Sequence, residues 1–178
     1  NLYGISKNAD IEIIELIWQK YKDKKDDYHY NYFLYGLTNN QNLSENILKE
    51  IPSYLKRGYG LFDFLVGCTL INIINHQNTN EDIIDVVYRY CNNDLEIFTH
   101  IVSNEKTSAN TLRKIGDNRL VVGELGIEIL YGILHNPNCD KNVFDITWKR
   151  KDSFSKNDQY LIEENYRNGN DDFFMLFA

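Results

Sequence analysis

The segment His135-Asn136-Pro137-Asn138-Cys139-Asp140-Lys141-Asn142-Val143-Phe144 decides the fold, because it sets a polar turn between two apolar stretches and is not alone. Residues 75–84 and 103–112 repeat it legibly, residues 39–48 form an earlier copy, and residues 6–14 a shortened one. Units of roughly 28 to 36 residues have the period of helical repeat arrays. The expected fold is all-α: an α-solenoid of about five irregular antiparallel helix pairs with a C-terminal capping helix. Arrays of this kind offer an extended surface to something else, which points to binding rather than chemistry.

Outward from each turn, the following helices align in register. Ile13, Ile47, Ile83, Thr111 and Val143 form one column; Ile14, Leu48, Ile84, Leu112 and Phe144 the next; Ile17, Ile51, Val87 and Ile115 a third one turn on. These offsets put the columns on one helical face, which is expected to be core. Thr79 with Asp82 reads as a capping box, with Ser44 or Leu43, Thr107 or Ser108, and Asp140 at the other starts. The preceding helices are expected over approximately 27–37, 61–74, 94–102 and 119–134, and short connections make neighbours antiparallel. Asparagine suits such turns because it tolerates left-handed backbone and bonds its own main chain.

His135-Asn136-Pro137-Asn138-Cys139 with Val143-Phe144, and Asn78-Thr79 with Ile83-Ile84, resemble the Asn-Pro-Asn-Thr signature of variant leucine-rich repeats, a family similar in architecture to HEAT arrays. The resemblance covers roughly residues 2–150, and its Thr is replaced by Cys139 and by Leu43 in two copies. It implies macromolecular binding and scaffolding. The repeat array is assigned to residues 1–150. Residues 151–178 follow as a capping helix and apolar tail of the same domain, with Ser155 and Asp158 as a capping box and Asn168-Gly169 as the stop. Phe173, Phe174, Leu176 and Phe177 are expected to cover the last repeat near Phe144 and Trp148, the alternative being a docking tail.

The chain has 178 residues, enough to bury a core without disulfides, and a net charge of -7 that disfavours general nucleic-acid affinity. Cys68, Cys91 and Cys139 match no zinc or redox spacing, and Cys68 reads as a small buried hydrophobe. No apolar stretch reaches membrane-span length and the N-terminus lacks signal-peptide order, so a cytoplasmic location is expected, with the first repeat cut short.

No phosphate-binding glycine loop, His-Glu-x-x-His, Gly-x-Ser-x-Gly or dinucleotide fingerprint occurs. Gly123 and Gly126 read as a local break or a close helix approach. His76, His100 and His135 read as turn-associated or helix-ending; His135 and Cys139 have a spacing that suits a metal but lack further ligands nearby. Trp18 and Trp148 read as core or end packing. The chain is expected to be no enzyme and to use no cofactor, metal or small-molecule substrate.

Tyr28, Tyr30, Tyr32 and Tyr35 belong to an aromatic run denser than one buried face uses; a helix buried on two sides is the first account, and a candidate contact patch for a protein partner at these residues is the sharper one. Bases at the helix ends, Arg57, Arg89, Lys114 and Arg150, form a candidate phosphate-binding rim, with complementarity to helix dipoles as the plainer account. The leading function is a scaffold or adaptor. An acidic inhibitor or immunity-type protein blocking a basic partner surface comes second. A HEAT-like nucleic-acid binder or DNA glycosylase-like enzyme comes third, and would need a tryptophan and an acid converging on a basic cleft.

Overall fold

The computed structural model describes residues 4, 9–24, 29–56 and 61–169, without the side chains of 61, 62, 165, 166, 168 and 169. Tyr28, Arg57 and the tail over 171–178 lie outside the described residues. Among the described residues there are ten α-helices and no strand: α1 (Ile11–Tyr21), α2 (Tyr30–Thr38), α3 (Glu45–Glu50), α4 (Leu61–Ile74), α5 (Glu81–Tyr90), α6 (Leu95–Ser103), α7 (Ala109–Gly116), α8 (Gly123–His135), α9 (Lys141–Arg150) and α10 (Lys156–Gly169). The expectation of an all-α chain holds. No helix among the described residues is long and apolar enough to cross a membrane.

The chain divides into two compact units, Asn1–Asn92 and Asn93–Ala178. Asn92 and Asn93 take φ values of 55° and 59°, the left-handed conformation that asparagine tolerates better than most residues. Helix α10 packs on α8 within the second unit.

In the first unit α2 packs on α4, and α5 packs on both α3 and α4. Ile14, Leu48, Ile84, Ile51 and Val87 from the columns are fully buried, together with Leu34, Leu37, Leu70, Ile73 and Ile74. Each such side chain contributes about 2 kcal/mol through removal from water. In the second unit α6 packs on α8 and α7 on α9, with Leu112, Ile115, Ile129, Leu130 and Ile133 buried between them. The column pattern fails at Ile13, which is 47% exposed on the outer side of α1, and at Ile17 and Phe144, which are only half-buried.

The helix starts correct one expected cap by one residue and choose between the two candidates at another. Asn80, not Thr79, caps α5 by accepting from Ile83 N at 3.1 Å, and Ser108, not Thr107, caps α7 by accepting from Thr111 N at 3.1 Å. The threonine hydroxyls turn inward instead and donate to main-chain carbonyls of the preceding helices, Thr79 to Ile73 O and Thr107 to Ile101 O. Asp140 caps α9 as expected, through Val143 N at 2.8 Å. Ser155 caps α10 as expected, its Oγ accepting from Asp158 N at 3.3 Å, and its hydroxyl donates to Asp158 Oδ2 at 2.7 Å. Helix α8 starts at Gly123 rather than near Arg119, because Asn118 makes another turn first and Gly123 adopts φ +68°. A Cβ on Gly126 would lie 3.1 Å from the Phe154 ring, so both readings of the glycine pair apply, a break at the first and a close approach at the second.

Candidate functional site

The turns hold one another by a recurrent set of bonds. The first position of each turn accepts a backbone N–H two residues on: Asn40 Oδ1 from Asn42 N, Asn104 Oδ1 from Lys106 N and Asn136 Oδ1 from Asn138 N, at 2.8, 2.8 and 3.0 Å. At Asn40 and Asn136 the same side chain then reaches an earlier segment of the chain. Asn136 Nδ2 donates to Asn104 O at 2.9 Å and to Val102 O at 2.8 Å, and Asn40 Nδ2 donates to Ala9 O at 2.8 Å. His76 fills this slot in the first unit: Nε2–H donates to Asn40 O at 2.8 Å while Nδ1 accepts from Asn78 N at 3.1 Å, which selects the Nε2–H tautomer. The third position repeats the device, Asn78 Nδ2 donating to Leu43 O and Asn138 Nδ2 to Thr107 O, both at 2.9 Å. Buried main-chain carbonyls that would otherwise cost free energy are thereby satisfied.

These bonds set α1, α3 and α5 side by side with their N-termini together. Between α3 and α5 the gap is closed by polar pairs: Lys49 Nζ meets Asp82 Oδ2 at 2.8 Å and Asn80 Nδ2 donates to Glu45 Oε2 at 2.8 Å. The bond from Lys49 and its charge hold the Asp82 carboxyl below the usual carboxylate range. Counting along the columns, Lys49 corresponds to Glu15 and Asp82 to Asn46, so between α1 and α3 no cation stands where Lys49 stands next door. A groove of about 570 Å³ opens there instead, lined by Glu12, Glu15, Leu16, Gln19, Ile47 and Glu50 among others. Trp18 forms its inner wall, buried, with Nε1 donating to Glu50 Oε2 at 3.0 Å and its ring 5.2 Å edge-on from that of Tyr54. Leu16 is 72% exposed at the lip.

The expected contact residues are placed differently from one another. Tyr30 is buried and its hydroxyl donates to Lys22 O, so it offers no contact surface; burial raises its phenol well above the usual value. Tyr32 and Tyr35 are half-buried, in keeping with the first account of a helix packed on two sides. On the expected rim, Arg89 and Lys114 are exposed and Arg150 is half-buried. Arg89 Nε donates to Asp85 O at 3.3 Å and Arg150 Nη2 to Arg119 O at 3.2 Å, so both guanidinium groups are engaged by main-chain carbonyls. Trp148 stacks on Phe144 at 5.6 Å with the Lys151 ammonium 5.0 Å over its ring.

A second cleft of about 410 Å³ lies between α6 and α8, bordered by Ser103, Glu128, Tyr131 and His135. His135 Nδ1 donates to Tyr131 O at 2.9 Å. No group of three or more His, Cys, Asp or Glu side chains suited to a metal gathers among the described residues. Cys91 and Cys139 are buried, whereas Cys68 is partly exposed, contrary to its reading as a core residue. Burial, with Asp140 adjacent, pushes the Cys139 thiol up to about 12.

Glu12, Glu15, Leu16 and Glu50 were not singled out by sequence reasoning as a contact surface. The available signal was the break in register, an acid at position 15 where the next repeat carries Lys49. Neither family models, nor curated proteins, nor solved structures match this chain.

Proposed function

We propose that this chain is a non-catalytic protein-interaction module, a scaffold or adaptor organised as an α-solenoid in the manner of HEAT and variant leucine-rich arrays. One observation carries the reading: in each unit the first side chain of a turn satisfies its own turn and also a carbonyl of the turn before it, as Asn136 does to Asn104 and His76 to Asn40. A chain organised by the same contact at successive turns builds surface by addition, and added surface serves recognition. The acidic groove beside α1 gives that recognition a candidate location, and the net charge of -7 agrees with a basic protein partner. The same carboxylates favour an acidic inhibitor that occludes a basic partner surface as the second reading. For the nucleic-acid reading, Trp18 and Glu50 do converge, but on a groove bearing Glu12 and Glu15 rather than bases.

Affinity capture from the native cell under nuclease treatment, with crosslinking before lysis, tests this. The expected result is a protein retained at near-equal amount and indifferent to nuclease. Salt-sensitive retention of DNA or RNA, lost on charge reversal at Arg57, Arg89, Lys114 and Arg150, would overturn it.

A further inference from the structure

We propose that the groove between α1 and α3 is the docking site for a basic amphipathic helix, and this rests on the protein-interaction reading above. Three observations meet there. The wall is apolar where Leu16, Ile47 and Trp18 line it, and Leu16 stands 72% exposed at the lip, so a partner side chain has apolar surface to cover. The flanks are acidic, with Glu12 and Glu15 on α1 and Glu50 on α3, and among the described residues no Lys or Arg lines the groove. The neighbouring gap in the same unit shows how such a space is closed, since Lys49 crosses from α3 to Asp82 at 2.8 Å. At the corresponding place Glu15 faces outward without that cation, and the occupant supplies it.

The occupant's form follows from the walls. Glu12 to Gln19 covers about two helical turns, or roughly 10 Å of rise. A helix laid into such a trough meets it with apolar residues at i, i+3, i+4 and i+7 and places its bases on the flanks. Phosphate-bearing ligands are disfavoured by the carboxylates. The apolar contact at Leu16 supplies most of the affinity, because exposed ion pairs contribute little each, and the carboxylates set orientation and select basic partners.

The test uses the full chain and a fluorescein-labelled peptide with Leu at helical spacing and Lys elsewhere. A peptide of identical composition with alternating Leu and Lys serves as one control, and a Leu/Glu helix as the other. Fluorescence anisotropy is expected to show saturable binding of the Leu/Lys helix alone. Leu16→Asp abolishes it, and Glu12→Lys with Glu15→Lys weakens it at least about tenfold. The milder pair Glu12→Gln with Glu15→Gln, which leaves both exposed side chains the same size, weakens it by a smaller factor. Glu105→Lys with Glu128→Lys, the same charge change in the second unit, leaves it unchanged. Equal binding of the alternating peptide, or equal loss with the second-unit pair, makes the attraction one of net charge and overturns the proposal. Failure of the Leu/Lys helix to bind while native capture still yields a protein partner sinks the groove alone; failure of capture sinks the module reading itself.

Discussion

The turn at His76 in the first unit and the turn at Asn136 in the second do the same work with different side chains. His76 spends one ring nitrogen on Asn78 N and the other on Asn40 O; Asn136 spends its oxygen on Asn138 N and its amide on Asn104 O and Val102 O. The turn requires an acceptor for the residue two ahead and a donor for the turn behind, and either imidazole or carboxamide meets both. Three positions further on, Thr79 bonds the carbonyl of Ile73, while Cys139 occupies the same place six residues after Ile133 and carries a thiol. Backbone geometry is therefore conserved between the two turns where side-chain chemistry is not.

The sharpest way to break one turn and spare the other is through the column residue five places beyond it. Ile84 is fully buried and Phe144, its counterpart, is half-buried. Ile84→Asp is expected to cost about 5 kcal/mol by loss of burial and desolvation of a carboxylate. Phe144→Asp is expected to cost less than half as much, and urea melts of the two variants compare them directly. Equal losses would mean that the second unit buries Phe144 as fully in solution.

Within the turns, Asn136→Ala strands two buried carbonyls and one backbone N–H, and is expected to cost about 3 kcal/mol. His76→Ala is expected to cost about 2 kcal/mol, since it removes one donor bond and one acceptor. His76→Asn restores the commoner residue and is expected to stay within about 1 kcal/mol of the parent. A large loss for His76→Asn would show that the first unit is spaced for an imidazole, and the equivalence of the two turns would fail.

The helical columns were legible because a buried face leaves a periodic trace in sequence, and five turn copies fixed their phase. The cap was misplaced by one residue at Thr79, and Thr107 or Ser108 stayed open, because a threonine before a helix looks the same whether its hydroxyl caps or turns inward; the Ser108 and Asn80 that follow decide it. The tyrosine run left two accounts open for a related reason. Composition counts rings, but Tyr30 is buried through a bond from its hydroxyl to Lys22 O that no local pattern announces. The groove was illegible because it depends on a residue that fails to cross between helices, Glu15 in place of Lys49, and that shows only when positions 15, 46, 49 and 82 are seen together.

The smallest expected effect concerns the one place where the two turns differ in chemistry. Cys139→Thr gives the second turn the hydroxyl that Thr79 and Thr107 use, with Ile133 O as the matching acceptor, and is expected to stabilise by about 1 kcal/mol. The same change carries a pH signature. The buried thiol titrates near 12, against 9.0 for an unperturbed thiol, so between those values the folded state keeps a proton that the unfolded state has released. Stability contributed at this position is then fully present below pH 9 and falls as pH rises towards 12. Tyr30, also raised by burial, adds a fall of the same sign at high pH in both proteins, so the difference between parent and Cys139→Thr isolates the thiol. The gap between the two is expected to widen above pH 9 in denaturant melts, and iodoacetamide at pH 8 is expected to modify Cys68 well before Cys139. A gap that stays constant from pH 7 to 11, or prompt alkylation of Cys139, would place the thiol in water and break its equivalence with Thr79.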